Sequence, residues 1–417
     1  MLGFLSRTAR EYPGIFSFRV LVFNVVIVNE PELIQEFLTD TSGRLGIPWE
    51  RRLLRSALGN GLLTNNDGTW RRQRKLLQPA FEQERLQGYA ATIVSHAERM
   101  LDRWKGRDAF DLSKEMSQIT LEVVAQTLFG ANFDDHALEV ADSMDVLMRS
   151  FEKTVTSAVP VPPTWRSLAA HRAMRRVDRA IYDLIDQGLA ASAGRAGVLG
   201  WMLEAERRGD EGMTRKQIRD ELITLVLAGH ETTAIAIVWT LVLLAQHPEV
   251  EKKVLAELNE VFGGAVPDGA GLGRLGYLRQ VVNESMRLYP PAPAISREVR
   301  EPFELGGYWM PRGTQMFAMS FLTHHDARFF PEPERFRPER WDRDAASPPP
   351  RHAFYPFGLG PHTCIGKTFA MMEVLLVLAC VLRRVKVELD PHHPIELQLA
   401  VTIRPRHGVK VRVHRRS

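Results

Sequence analysis

The 417-residue chain predicts a mostly α fold with a small β portion. Three observations carry that reading: apolar residues recur at helical spacing along most of the chain, strand-like runs are few, and no repeat period is visible. Taken in order, Pro31–Asp40, Thr69–Leu77, Leu86–Trp104, Met116–Phe129, Trp165–Ala191, Leu222–Gln246, Glu249–Phe262, Leu278–Leu288 and Thr368–Val385 carry the helical pattern. Phe18–Val28, Ile295–Val299, Phe303–Met310, Gln315–Phe321 and Val401–Val413 carry the β-branched and aromatic content of strands. Pro- and Gly-rich connectors fall at Val159–Thr164, Gly263–Gly276 and Pro331–Pro350. The last holds Pro348-Pro349-Pro350 and aromatics, so it reads as an ordered meander rather than a linker, and one domain over residues 1–417 is expected.

Composition narrows the class. A hydrophobic share of 45% with 25% charged residues is that of a soluble globular protein with a large core. A net charge of +4 is too modest to argue for nucleic acid. Two cysteines leave no disulfide framework and fit a reducing compartment. Met1–Glu11 carries Arg7 and Arg10 and lacks the apolar core of a signal peptide, and Leu21–Val28 is strand-sized. Leu222–Leu244 is long enough to span a bilayer, but its middle is Gly229-His230-Glu231-Thr232-Thr233. An ionisable residue at the bilayer centre costs about 2.5–3.5 kcal/mol even on lenient scales. A helix apolar all round with polar groups only at its centre fits a large soluble core better, so a cytoplasmic protein without a membrane anchor is expected.

Two motifs mislead. Gly271-Leu272-Gly273-Arg274-Leu275-Gly276 satisfies G-x-G-x-x-G, but Pro267-Asp268-Gly269-Ala270 precedes it where a dinucleotide site needs a strand, so a flexible loop is expected. His230-Glu231 begins a zincin-like H-E-x-x-H, but Ala234 stands where the second zinc ligand belongs.

The most informative residue is Cys364, in Phe357-Gly358-Leu359-Gly360-Pro361-His362-Thr363-Cys364-Ile365-Gly366. It sits in a Gly/Pro-rich loop that runs into a helix, where the positive helix terminus and freed N–H groups are expected to lower its pKa. One thiolate held on glycines that let the backbone come close suits haem iron as a proximal ligand. Cys380, inside the following helix, reads as a small buried hydrophobe. In Ala228-Gly229-His230-Glu231-Thr232-Thr233 the Thr232 hydroxyl can bond the Ala228 carbonyl, with Gly229 easing a local distortion. Glu231 and Thr232 would then form an acid–alcohol pair able to relay protons; a tolerated polar patch in a core helix fits the residues equally well. Glu284 and Arg287 lie three apart on one helix face and can pair, and that helix stops at Pro290-Pro291. Trp70 and Arg74 face one way, and an Arg fork with an indole N–H would hold a carboxylate well.

The pattern F-x-x-G-x-x-x-C-x-G from Phe357 through Gly358 and Cys364 to Gly366 resembles the haem-binding loop of the cytochrome P-450 family. Further matches lie upstream in the order that family uses, so the resemblance spans nearly the whole chain and is to the soluble bacterial type. It implies the cytochrome P-450 fold, haem b (iron protoporphyrin IX) as cofactor, and Cys364 as axial iron ligand. Ala228 to Thr232 resembles the oxygen-activation motif A-G-x-[ED]-T, which favours the proton-relay reading of Glu231 and Thr232 and sets Ala228 and Gly229 against the haem. Glu284 and Arg287, followed by Pro333-Glu334-Arg335-Phe336, resemble the family's structural Glu–Arg–Arg network, with Arg335 as third member. Trp70 and Arg74 match its W-x-x-x-R propionate contact and Arg297 another, while His362 stands where the family more often has Arg.

The activity implied is O2-dependent hydroxylation or epoxidation of a hydrophobic small molecule such as a fatty acid, terpenoid or polyketide-like compound. By the family's layout, the pocket would draw on the loop Arg44–Leu63, on Ala228 and its neighbours, on Ala292–Ile295 and on Leu397–Val401. Arg71, Arg72, Lys75 and Lys367 would gather near Cys364, and such a basic face attracts an acidic partner. The chain shows no flavin or nicotinamide domain, so a separate ferredoxin or flavodoxin with its reductase is expected to supply electrons. A haem-thiolate isomerase, dehydratase or peroxygenase and a haem sensor are the rival classes. The intact Glu231-Thr232 pair argues against the first group, and failure to turn over with any redox partner would mark the sensor.

Overall fold

The structure is a computed structural model that describes residues 2–20, 22–130, 137–156, 165–190, 197–209, 213–342, 344–345 and 348–416. It is helical for most of its length. α1 (Leu2–Glu11) leads into a hairpin of β1 (Ile15–Val20) and β2 (Phe23–Val28), then α2 (Pro31–Thr39), which starts on a proline, the short β3 (Leu45–Gly46) and α3 (Trp49–Leu58). α4 (Asp67–Leu77) and α5 (Gln83–Arg103) precede β4 (Phe110–Asp111) and α6 (Leu112–Phe129). α6 is capped by the Asp111 carboxylate on the Ser113 N–H at one end and by Gly130 at the other. α7 (Ala137–Thr156), α8 (Trp165–Ala190) and α9 (Val198–Arg207) lead to the long α10 (Arg215–Gln246), whose first turn is capped by the Thr214 hydroxyl. α11 (Pro248–Phe262) and α12 (Gly276–Leu288) follow.

Four strands come next: β5 (Ile295–Val299), the β6 (Phe303–Leu305) and β7 (Tyr308–Met310) hairpin, and β8 (Gln315–Ala318). The short α13 (Ser320–His324) leads through the meander to α14 (Lys367–Arg384), which runs directly into β9 (Val385–Leu389). β10 (Leu397–Leu399), β11 (Ile403–Pro405) and β12 (Lys410–Arg415) close the chain. The main sheet has the order β1-β2-β8-β5-β3, with β2 parallel to β8 and the other neighbours antiparallel, so N-terminal and C-terminal segments share one layer.

Each predicted helix is present, with ends moved by a few residues. The single expected strands Phe18–Val28 and Phe303–Met310 are each a tight hairpin, and only part of Val401–Val413 is strand. The expected strand Gln315–Phe321 ends at Ala318 and turns into α13. α1, α3, α7 and α9 escaped the sequence reading, and α3 makes a helix of the middle of the expected loop Arg44–Leu63. The connector Val159–Thr164 lies outside the described residues. Gly271–Arg274 forms an ordered 3₁₀ turn, with the Gly271 N–H donating to Asp268 Oδ1 at 2.9 Å, rather than a flexible loop; no strand precedes it.

α10 is the axis of the molecule. Among the described residues it is the one helix long and apolar enough to cross a bilayer, and 78% of its apolar window is packed inside the protein. From Ile218 to Leu244 every residue is buried except Ala228, Gly229, Glu231 and Thr232. α6 lies along it, and a Cβ on Gly229 would come within 3.0 Å of Val124 Cγ2. Close packing on α6 is therefore the constraint observed at Gly229, where a backbone distortion was expected.

Candidate haem-thiolate site

The loop before α14 turns tightly enough to present Cys364. Gly358 and Gly360 hold φ of +76° and +71°, and a Cβ on Gly360 would come within 2.6 Å of the Leu38 carbonyl oxygen at the end of α2. The Cys364 N–H donates to the Phe357 carbonyl at 2.8 Å, closing the turn, and Lys367 lies 5.9 Å from the Phe357 ring centroid. Two measures of the thiol differ in sense. It is accessible rather than packed, yet burial raises its pKa above the usual thiol value. Both hold if the sulfur opens onto an enclosed space instead of bulk water. A Gly366 N–H and the charges of Arg74 and Lys367 pull in the opposite direction but are outweighed, which corrects the lowered pKa expected from the loop–helix junction.

Cations surround this loop. Arg74, on α4, donates to the Thr363 carbonyl at 2.9 Å and lies 5.5 Å from the ring centroid of Trp70, as the i, i+4 spacing requires. Trp70 is buried, and the His362 ring stacks on it with centroids 3.9 Å apart. His362 is held neutral, its pKa lowered to about 3 by burial and then by Arg297, Arg51, Arg74 and Arg71. Arg297, on β5, is 7% exposed, and its pKa falls to about 9 through burial and the neighbouring Arg51 charge. Its guanidinium donates to the Ser296 carbonyl at 2.9 Å. Arg51 escaped the sequence reading because α3 did.

None of Arg51, Arg74 and Arg297 forms an ion pair among the described residues. Arg297 is buried, Arg51 and Arg74 are half-buried, and Glu50 is the carboxylate whose charge Arg51 feels, so like charges gathered in this way favour an anionic ligand. A carboxylate-bearing haem is such a ligand, and Cys364 supplies the thiolate it needs. The residues fit the group.

On α10 the Thr232 hydroxyl donates to the Ala228 carbonyl at 2.7 Å, the bond its spacing predicts. Ala228 is exposed and Gly229, Glu231 and Thr232 are half-buried, so a small polar opening interrupts an otherwise sealed helix. His230 points the other way. Its Nε2 lies 2.9 Å from Ser117 Oγ, its carbonyl accepts from Thr120 at 2.9 Å, and burial lowers its pKa to about 4. Glu231 is held from the C-terminal hairpin, accepting at Oε1 from Thr402 Oγ1 at 3.0 Å and from Arg404 at 3.3 Å. Burial raises its pKa against those two donors. Of the segments expected to line the pocket, Ala294, Ile295 and Leu397–Leu399 are half-buried and Val401 is exposed.

The structural network differs from expectation in one member. Glu284 and Arg287 are fully buried and pair through two bonds of 2.9 Å. The third arginine is Arg340: 3% exposed, it donates to Glu284 Oε1 at 2.9 Å, and the Trp341 indole adds a bond to Oε2 at 2.9 Å. The Arg335 side chain faces solvent and pairs with Glu332 at 3.2 Å, and only its main-chain carbonyl reaches Arg287. The signal was present in the sequence, because Pro338-Glu339-Arg340-Trp341 repeats the pattern of Pro333-Glu334-Arg335-Phe336.

Comparison with known proteins agrees with this geometry. A cytochrome P450 family model matches residues 1–411. Cyclooctatin synthase of Streptomyces melanosporofaciens is 36% identical over 85% of this chain and 78% of its own. Cyclooctat-9-en-7-ol 5-monooxygenase of the same organism is 32% identical over 79% of this chain and 73% of its own. 11-oxo-beta-amyrin 30-oxidase of Glycyrrhiza uralensis is 30% identical over 94% and 78%. The crystal structure of the cytochrome P450DA heme domain superposes with a TM-score of 0.90 over 100% of this chain and 93% of that one, at 23% identity, a likeness of fold. Members of this family use O2, electrons from redox partners and hydrophobic substrates. The chain belongs to the cytochrome P450 family and is a haem-dependent monooxygenase.

Proposed function

We propose that residues 1–417 form one catalytic domain that binds haem b through Cys364 and oxidises a terpenoid-like hydrophobic scaffold by hydroxylation or epoxidation. The observation that carries the reading is the accessible Cys364 thiol on a tight loop, beside three arginines, Arg51, Arg74 and Arg297, that form no ion pair among the described residues. Haem, when bound, supplies the oxygen and redox chemistry, and a thiolate axial ligand favours O–O cleavage. Trp70, Arg74, Arg297 and Arg51 hold the carboxylates. Neutral His362 supports them through its stack on Trp70 rather than as a charge. Phe357, Gly358 and Gly366 shape the turn that presents the sulfur. Ala228 and Gly229 give the cofactor and a small ligand close approach to α10, and Thr232 with Glu231 moves protons there. The reading of a terpenoid-like substrate rests on the relatives named for cyclooctatin, cyclooctat-9-en-7-ol and 11-oxo-beta-amyrin, and on the half-buried aliphatic residues Ala294, Ile295, Leu397 and Leu399 in segments expected to line the pocket.

Electrons come from a separate ferredoxin or flavodoxin and its reductase. Arg71 and Lys367, exposed and beside the Cys364 loop, with the exposed Arg72 and Lys75 on the same helix as Arg71, offer a basic docking face. A cytoplasmic setting agrees with α10 serving as an interior helix. The test is an optical titration of the ferric protein with terpenoids, fatty acids and macrocycles. A thiolate-type Soret band that is lost in Cys364→Ser, with a low- to high-spin shift on adding terpenoids, is the expected result. A wild-type protein without the thiolate band would overturn the ligand assignment, and a shift with fatty acids alone would overturn the substrate class.

A further inference from the structure

One backbone unit joins three segments expected to line the pocket. Ile403, on β11, is fully buried. Its N–H donates to the Pro291 carbonyl at 3.1 Å, and its carbonyl accepts from the Trp239 indole at 3.0 Å. Trp239 belongs to α10, and Pro291 opens the segment that leads to Ala294 and Ile295. Ile403 itself pairs directly with Leu399 across the β10–β11 hairpin. Thr232 and Trp239 lie seven residues apart, so both stand on one face of α10, roughly 10 Å from each other along its axis.

A buried indole N–H needs an acceptor, and this one reaches across 164 residues of sequence to find it. Its ring is fixed from another side. Tyr289, half-buried at the end of α12, stacks on Trp239 with centroids 4.0 Å apart and planes 14° from parallel. An indole held by a stacked ring cannot follow its acceptor, so the bond fixes the hairpin to the helix. The hairpin needs such an anchor, because β10 and β11 form a two-stranded sheet of three residue pairs, and an isolated ribbon is marginal in water. Thr402 and Arg404 also reach α10, at Glu231, but through side chains that can turn without moving the main chain. The Trp239 bond grips the main chain directly opposite Leu399.

We propose that Trp239 is a positioning residue for substrate selectivity: by gripping the Ile403 carbonyl it sets how far Leu397 and Leu399 stand from Thr232. The inference rests on the pocket reading given under the proposed function. A wall held at fixed distance favours a rigid ring system, which meets it without losing internal freedom. A flexible chain of the same size can fold to fit a fixed or a yielding wall, so it gains less from the anchor. Trp239 therefore acts through the hairpin on which shape of hydrophobic molecule binds, and it takes no part in holding haem or moving protons.

The test uses Trp239→Phe in the full-length holoprotein, which keeps a ring against Tyr289 but removes the N–H. Val254→Ala, at a fully buried site on α11, is the control for lost stability alone, because α11 packs on α10, α12 and α14. The first readout is amide hydrogen exchange over residues 397–405, which needs neither turnover nor ligand. It should quicken in Trp239→Phe and stay at the wild-type rate in Val254→Ala. The second is the spin-state titration with a cyclic and an acyclic terpenoid alcohol of equal carbon number. The preference for the cyclic compound should narrow about three- to ten-fold in Trp239→Phe, matching the loss of one net hydrogen bond, with the thiolate spectrum unchanged. Should Trp239→Phe not fold, Tyr289→Leu removes only the stacked ring and should move both readouts the same way. Hairpin exchange at the wild-type rate would overturn the anchor. Quickened exchange with an unaltered preference would reduce Trp239 to a core residue and overturn its role in selectivity. A wild type with the thiolate band but no terpenoid response defeats the substrate class instead, and one without the band defeats the haem reading. In either case the exchange arm still decides whether Trp239 holds the hairpin.

Discussion

Arg335 and Arg340 stand five residues apart in near-identical tetrapeptides, yet one side chain faces water and the other is sealed against Glu284. Their removal should differ accordingly. Stripping one partner from a buried ion pair costs about 3–5 kcal/mol, so Arg340→Ala and Arg287→Ala should yield little stable holoprotein. Arg335→Ala, a surface change, should stay within about 0.5 kcal/mol in chemical denaturation. Choosing between the copies required knowing where Trp341 donates, a three-dimensional fact. The same holds for Arg51 and Arg404, which carry no motif and gain meaning only from what they face. Cys364, Thr232, Trp70, Arg74 and Glu284 were legible because fixed spacing on one loop or helix determines their geometry directly. Thr232→Ala should retain haem and the thiolate spectrum while diverting reducing equivalents to hydrogen peroxide, measured as peroxide per NADPH oxidised. Unchanged coupling would remove Thr232 from proton delivery.

Most long periodic elements were readable, whereas the short helices, the hairpins and the 20-residue α7 were not. Half of α3 is Arg, Glu and Ser, and the β6–β7 hairpin folds back within a run that reads as one strand. At this scale α10 also acts as a clasp. Gln217, Arg219, Asp220 and Glu221 bind the Leu58–Leu62 backbone, including a 2.9 Å bond from the Asn60 N–H to Asp220 and a 3.0 Å bond from the Leu62 N–H to Glu221. A Cβ on Gly61 would come within 2.0 Å of Thr224 Oγ1. Gly61→Ala should therefore cost about 1–3 kcal/mol by overpacking and loosen the loop, read as faster amide exchange at Leu62.

The same helix carries opposed pH responses. Burial raises Glu221 to about 7, so the native state holds its proton longer than the unfolded chain and stability falls as pH rises from about 4.5 through 7. His230, lowered to about 4, works in reverse, and its contribution is lost as pH falls from about 6.5 through 4. Glu221→Gln keeps an acceptor for Leu62 but removes the first response. Melting temperature should then stop declining between pH 5 and 8, and a decline equal to wild type would show that Glu221 ionises freely in the folded protein.

For the molecule as a whole, the basic docking face proposed above predicts that reduction by an acidic ferredoxin slows as salt rises, because exposed charges are screened within about 8–10 Å at physiological ionic strength. Lys75→Glu with Lys367→Glu should lower the rate of the first electron transfer and flatten its salt dependence, measured by stopped-flow reduction. Rates indifferent to both would move the docking site elsewhere. The overall α-rich class and the order of the motifs were legible because they are local along the chain. The sheet was not, because β2 pairs with β8 across almost the full sequence.

That pairing has a consequence during synthesis. β2, Phe23-Asn24-Val25-Val26-Ile27-Val28, pairs on its far side only with Gln315–Ala318. At about 5–20 residues per second, the ribosome needs tens of seconds between making one strand and the other. For that interval an apolar edge waits without its neighbour. Arrest of translation before residue 315 would leave a fragment whose β1–β2 hairpin has nothing to close against, a ready nucleus for aggregation.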